Sequence, residues 1–364
     1  MEIVLADVLG FCFGVRRAIQ LAEAAAHGGR SVNSLGPLVH NAQETLRLDR
    51  VGISTVNDVE ELRGDAVVVR AHGARPETFR TLEQRGFRLV DATCPFVKSS
   101  QRIAQEFDQQ GLTLVIVGHQ DHPEVQGILG YTSSPAYIIT LPDDVARLPD
   151  GITPGVIAQT TVNEQTFLEI VGLLTARYPG CEVRNTVCFA TRERQQAARR
   201  LATRVDAVYV IGGRHSSNTN RLTEICRQVC ARTFLIETAE EIEPSALSGL
   251  ARVGVTAGAS TPDWLIDHVV ERLRALGGVE VEDRRGEDRS PGDPTGQHVA
   301  GEMHPQQHAR DAGGEDYQHG RQHHQQARPQ RLHQVRADEI TEQAIQDRAE
   351  GRMPAGETGP ARDE

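Results

Sequence analysis

Cys12, Cys94 and Cys188 stand 82 and 94 residues apart, each just past an apolar, strand-like run, in GFCFG, DATCP and TVCFAT. Three thiolates fill three corners of a tetrahedral iron or iron–sulfur site and leave one corner without a protein ligand, where a substrate can bind. The repeated context points to one metal centre assembled from three similar units, and the open corner points to catalysis. Cys12 lies between Gly10 and Gly14 ahead of a helical pattern, where amides and the positive dipole end favour a thiolate. Cys94 precedes Pro95, a good first helical residue, and Cys188 precedes a predicted helix over 190–201. Taken singly, each is as readily a buried small apolar residue, the commoner fate of a free cysteine. The three contexts together favour ligands. Cys226 and Cys230, four apart on one predicted helical face, read as core residues, and Cys181, after the turn YPG, reads as a surface thiol.

A second group of residues suits an anion. GRHSSNTN follows the strand pattern DAVYVIGG and offers Ser216, Ser217 and Asn218 at a helix start, where hydroxyls and unpaired amides form an anion site. An ordinary N-cap needs only one serine. Ser260 in TAGAST occupies an equivalent strand-to-helix turn, and His40 in LVHN, His72 in RAHG and His122 in DHPE also stand at strand or turn ends. One such histidine is more often structural; three in the topological position of the cysteines favour a shared polar pocket. Glu124 opens a helix beside His122, a place that suits an acid complementing the dipole. Facing an apolar pocket, its pKa would rise and it could deliver protons. Thr160 in QTT is either a plain strand-end threonine or a hydroxyl extending that relay, and spacing does not choose.

These residues must be positioned by alternating short β-branched runs and helical patterns: EIVLAD then 14–27, AVVVRAHG then 76–85, FRLVDAT then 95–110, LTLVIVGH, GVIAQT then 163–178, DAVYVIGG then 218–229, TFLIET, and RVGVTAGAS then 262–276. That rhythm is βαβ, and it predicts α/β architecture with mostly parallel sheets. Strands running straight into polar turns place reactive side chains at their carboxyl ends, where open α/β sheets bind ligands. The cysteine spacing divides the first 280 residues into three small α/β domains, 1–95, 96–187 and 188–280, in a pseudo-threefold arrangement. Residues 281–364 hold eight Ile, Leu, Val or Met residues and one aromatic, Tyr317. Such a stretch cannot bury enough apolar surface to offset its ordering entropy and is expected to be a disordered, low-complexity tail.

The net charge of −11 is spread over both parts, with 11 Arg against 17 acidic residues after position 280, which argues against a nucleic-acid partner. The start MEIVLADVLG has no basic n-region, and no run of about 18 apolar residues occurs. No membrane partner and a cytoplasmic location are expected. Six dispersed cysteines are not the dense disulfide framework of a small secreted domain, and a reducing compartment favours metal or redox roles.

GFCFGVRRAI, LVHN, AHG, DATCP, GHQDHPEVQG, QTT, CFATRERQ, SSNTN and TAGASTPD, in this order from Met1 to about Gly278, closely resemble 4-hydroxy-3-methylbut-2-enyl diphosphate reductase, the LytB or IspH family. The resemblance implies a trefoil of three α/β domains around a [4Fe-4S] cluster held by Cys12, Cys94 and Cys188, with one open iron. It also implies the last step of the non-mevalonate isoprenoid pathway, in which the hydroxylated substrate is reduced to isopentenyl and dimethylallyl diphosphates. By motif, His40, His72, His122, Ser216, Ser217, Asn218 and Ser260 would hold the diphosphate, Glu124 would donate the proton, and Thr160 would help position the hydroxyl. No nicotinamide or flavin fingerprint is present, so the resemblance implies a separate donor, ferredoxin or flavodoxin. Thr219 replaces the Ser common in the family, and 281–364 has no counterpart in its short form. The rivals are another three-cysteine trefoil enzyme resembling quinolinate synthase, which would need a carboxylate pocket, and a non-enzymatic iron–sulfur redox sensor, which would have no use for Ser216, Ser217, Asn218 and Glu124.

Overall fold

A computed structural model describes residues 1–280; the expected tail, with its seven histidines, lies outside the described residues. The chain begins with β1 (Glu2–Leu5) and α1 (Phe13–Ala26), then runs β2 (Val32–Leu35), α2 (Ala42–Arg50), β3 (Ile53–Val56), β4 (Ala66–Val69), α3 (Pro76–Gln84) and β5 (Arg88–Asp91). A second series follows: α4 (Pro95–Gln109), β6 (Thr113–Val117), α5 (Pro123–Leu129), β7 (Tyr137–Ile139), β8 (Pro154–Ala158), α6 (Glu164–Arg177) and β9 (Glu182–Val183). The third is α7 (Phe189–Ala202), β10 (Ala207–Ile211), α8 (Ser217–Arg227), β11 (Thr233–Ile236), β12 (Arg252–Ala257), α9 (Asp263–Ala275) and β13 (Val279–Glu280).

Three all-parallel sheets result, ordered β3-β2-β4-β5, β7-β6-β8-β9 and β11-β10-β12-β1-β13. In each, the second strand pairs with the first, the first with the third, and the third with the fourth. The fourth place in the last sheet is taken by β1, which pairs in parallel with β12, Glu2 opposite Arg252. The boundary at residue 1 therefore needs correcting: β1 belongs with the third sheet, not with the first segment. Its partner lies some 250 residues away, and pairing at that distance leaves no local trace.

Central strands such as AVVV of β4 and AVYVI of β10 are buried throughout, because helices cover both faces of a parallel sheet. Val68 and Ala66 face one apolar cluster with α1 and α2, while Val67 and Val69 face another with Leu82 of α3. Alternate residues of one strand thus fill two layers. Helices α1, α4 and α7 each follow a fourth strand and pack on the next sheet: α1 on β2 and β3, α4 on β6 and β8, α7 on β12. Each crossing between sheets is capped by a cysteine, Cys12, Cys94 and Cys188 being the N-caps of α1, α4 and α7.

Candidate active site

In each sheet the order reverses between the first and third strands, the switch point at which open α/β sheets bind ligands. The loops at these points carry the polar residues. His40 follows β2 and His72 follows β4; His122 and Glu124 follow β6 and Thr160 follows β8; Ser216, Ser217 and Asn218 follow β10 and Ser260 follows β12. All nine, with Cys12, Cys94 and Cys188, line one cavity. An adjoining, more open cavity shares His40, His122 and Ser217 and adds His119, His215 and Arg221.

The backbone locks each cysteine to its neighbouring switch-point loop. Cys12 N–H donates to the Ala259 carbonyl (3.1 Å), Cys94 N–H to Ala71 (3.0 Å) and Cys188 N–H to Thr160 (3.0 Å). The Cys12 Sγ accepts from Val15 N–H at 3.4 Å. Burial pushes the Cys94 thiol up to about 11 and raises Cys188; the amides of Phe96 and Val97, and of Ala190 and Thr191, oppose it, and the neighbouring thiols add to it. Three half-buried sulfurs at three helix N-termini form a soft donor set suited to an iron–sulfur group. Gly14 is required beside them, since a Cβ there would lie 2.6 Å from Cys94 Sγ.

Glu124 is 1% exposed. Its Oε1 accepts from Thr160 N–H (2.6 Å) and its Oε2 from the Thr160 hydroxyl (2.7 Å). Burial raises its pKa to about 7, against the lowering effect of both Thr160 bonds. Desolvation wins because, among the described residues, no cation stands beside the carboxylate to oppose it. Thr160, left open by its spacing, is therefore the hydroxyl partner of the acid.

The imidazoles of His40, His72 and His122 form a triangle with centroids 4.6, 5.9 and 5.5 Å apart. Burial brings His40 down to about 4 and His122 to about 3, and holds His72 well below its ordinary value; Arg70 and the other imidazoles push in the same direction. At neutral pH the triad is uncharged. His40 Nε2, His72 Nδ1 and both side-chain polar atoms of Asn218 are buried without hydrogen-bond partners in the protein. Such groups cost about 1–3 kcal/mol each unless a ligand satisfies them. Ser216 Oγ lies 3.4 Å from Ser260 Oγ and caps α8. A Cβ on Gly213 would overlap the His40 carbonyl, so glycine lets the loop after β10 close on the first sheet.

Sequence reasoning missed four contributors. Gln159 is buried, accepts from His119 N–H (3.1 Å) and donates to the Thr161 hydroxyl (2.7 Å), which meets Ser217 Oγ at 3.2 Å. Arg194 donates to the Gly10 carbonyl through Nε (3.2 Å) and Nη2 (2.8 Å), fixing the loop ahead of Cys12, and its charge lies near Cys12 and Cys188. Arg70 packs its guanidinium under the loop that carries His40, where a Cβ on Gly36 would lie 2.6 Å from Nη1, and no carboxylate pairs with it among the described residues. The available signal was a charge closing the apolar strand VVVRAHG two residues before His72.

Comparison with known proteins gives this geometry a family. Residues 3–274 match the LytB protein family. The chain belongs to the LytB family. 4-Hydroxy-3-methylbut-2-enyl diphosphate reductases of Geobacter sulfurreducens and Geobacter metallireducens are each 44% identical, over 75% and 76% of this chain and 97% and 98% of theirs. A solved structure of (E)-4-hydroxy-3-methyl-but-2-enyl diphosphate reductase, the terminal enzyme of the non-mevalonate pathway, is 40% identical and covers 76% of this chain and all of its own, with a TM-score of 0.58. The Plasmodium falciparum reductase structure, 23% identical over 82% of this chain and 94% of its own with a TM-score of 0.72, shares the fold. This LytB chain is thus an α/β iron–sulfur oxidoreductase with three parallel sheets, and neither rival reading is favoured. No helix among the described residues is long and apolar enough to cross a membrane.

The remaining cysteines stay outside the LytB site. Cys226 and Cys230 pack in an apolar cluster with Leu201 and Leu222, although α8 ends at Arg227, before Cys230. Cys181 is corrected from a surface thiol to a half-buried one packed against the core of the second sheet.

Proposed function

We propose that this chain reduces (E)-4-hydroxy-3-methylbut-2-enyl diphosphate to isopentenyl and dimethylallyl diphosphates, with Cys12, Cys94 and Cys188 holding a [4Fe-4S] cluster. The observation that carries the reading is a single cavity lined by three thiols, by unpartnered buried atoms of His40, His72 and Asn218, and by a carboxyl with a pKa of about 7. When bound, the cluster supplies electrons and a Lewis-acidic iron that no protein side chain ligates.

The protein's own residues do the rest. Ser216, Ser217, Asn218 and Ser260 offer hydroxyl and amide donors to the diphosphate, and the neutral His40, His72 and His122 each have one N–H to give. Burial disfavours the Glu124 anion and raises its pKa to about 7, so a proton is available on it around neutral pH. Glu124 delivers that proton to the substrate's departing hydroxyl, with the Thr160 hydroxyl turning between the carboxyl and the substrate oxygen. The stoichiometry is R–OH + 2 e⁻ + 2 H⁺ → R–H + H₂O: the C–O bond breaks, water leaves, and the second proton enters at either end of the three-carbon allylic unit, giving two isomers. The electrons come from a separate carrier, a ferredoxin or flavodoxin.

Arg70 balances the diphosphate charge from behind the triad. Arg70→Met is expected to raise KM by about tenfold, ~1.4 kcal/mol, with kcat nearly unchanged and Arg70→Lys recovering most of the loss. Steady-state kinetics with inorganic pyrophosphate as competitor checks it, and an unaltered pyrophosphate inhibition constant would remove Arg70 from the site. The reaction itself is tested with the full chain purified without oxygen and assayed with dithionite. Both isomers are expected, and cluster-loaded protein that forms neither would overturn the assignment.

A further inference from the structure

We infer that Arg194 tunes the electron affinity of the group held by the three cysteines: its buried charge stabilises an added electron, and its hydrogen bonds tie two of the three ligand-bearing segments together. Arg194 is 4% exposed and is the one buried Arg or Lys among the described residues. Its Nε and Nη2 donate to the Gly10 carbonyl at 3.2 and 2.8 Å, and its Nη1 donates to the Ala190 carbonyl at 2.9 Å. Gly10 stands two residues before Cys12, and Ala190 two residues after Cys188. The guanidinium therefore bridges the loop ahead of one ligand and the helix turn behind another, within about 10 Å of both cysteine backbones given the reach of two residues of chain.

A buried charge is normally paired with an opposite one. The half-buried Arg47, Arg184 and Arg192 each meet a carboxylate. Arg194 meets only carbonyls among the described residues, and the charges that act on it are, in order of strength, Cys12, Cys188 and its chain neighbour Glu193. Carbonyl dipoles satisfy its N–H groups without neutralising it. The missing negative charge arrives with the metal, since coordination deprotonates a thiol outright. An electron entering the site adds to the charge of three thiolates. A fixed cation favours that more negative state over the oxidised one, and away from water its field is weakly screened.

Arg17 provides the contrast. It belongs to α1 and donates to the carbonyl of Thr93, the residue before Cys94, at 3.3 Å. The contact is of the same kind, at another joint between a cysteine-capped helix and a cysteine loop. Arg17 is only half-buried, so solvent screens its charge. It positions without tuning.

This inference rests on the proposed cluster, and its test needs no turnover. The full-length protein, loaded with cluster without oxygen, is titrated with dithionite in the presence of mediator dyes, and the midpoint is read from visible absorption and electron paramagnetic resonance. Arg194→Gln is expected to lower the reduced-to-oxidised ratio at a fixed potential about tenfold, a midpoint ~59 mV more negative. Arg194→Lys, which keeps the charge and loses the fork, and Arg17→Gln are expected to stay within about twofold of wild type. An unchanged midpoint in Arg194→Gln, or an equal displacement in Arg194→Lys or Arg17→Gln, would overturn the tuning role. Should Arg194→Gln take up no iron, iron and sulfide content decides: full loading of Arg194→Lys supports a requirement for the charge, and failure of both variants overturns it. Wild-type protein that titrates normally yet forms neither isomer would instead overturn the reaction.

Discussion

Glu124→Gln is expected to lower turnover by about 10²- to 10⁴-fold while leaving the visible absorption and substrate affinity in place. Glutamine has the shape of glutamate and keeps the Thr160 contacts: its carbonyl accepts from the Thr160 N–H and its amide donates to a reoriented hydroxyl. What it lacks is a transferable proton. The pH dependence gives a second readout. Burial raises the Glu124 pKa to about 7, and the protonated form is the donor. Wild-type kcat/KM, which reports the free enzyme, should therefore be level below that value and fall about tenfold per pH unit above it. The variant should lack this limb. A diphosphate brought nearby raises the pKa further, so the corresponding limb in kcat should lie at higher pH. Rate profiles with dithionite check both; unchanged turnover would take Glu124 off the proton path.

Cys94→Ser should remove the cluster's visible absorption and all turnover above the chemical background. Serine is a better N-cap than cysteine, so α4, which Cys94 caps, should remain formed. The loss is then one of ligand chemistry, because a hydroxyl is too weak an acid to replace a soft thiolate on iron. Iron and sulfide analysis, with the melting temperature of the metal-free protein as control, checks this. A normal spectrum would show that another group completes the ligand set.

Most of the helices were legible because their signals are local. Pro76, Pro95 and Asn163 mark starts within a residue of those observed, and the buried strands AVVV, TLVIV and AVYVI stand out as β-branched runs. β2 was not legible. Its VNSL carries Asn33 and Ser34, both buried, with Asn33 Oδ1 accepting from Arg63 N–H and Ser34 Oγ donating to the Gly36 carbonyl. Buried polar residues satisfied by distant backbone do not look like a core strand. β7, β9 and β13 are only two or three residues long, too short to show a period.

The sequence by itself determined the chemical inventory: three cysteines at strand-to-helix junctions, histidines and hydroxyls at strand ends, and an acid opening a helix. It could do so because a cap or a strand end is written in a few consecutive residues. Only the tertiary structure decided that β1 closes the third sheet, that the three switch points and three cysteine caps face one cavity, and that Arg70 and Arg194 stand beside it. It also decided the protonation states: Glu124 is poised near neutrality and the histidines are uncharged because burial removes water from them, and desolvation is a property of how distant segments pack, not of the residues beside a group in the chain.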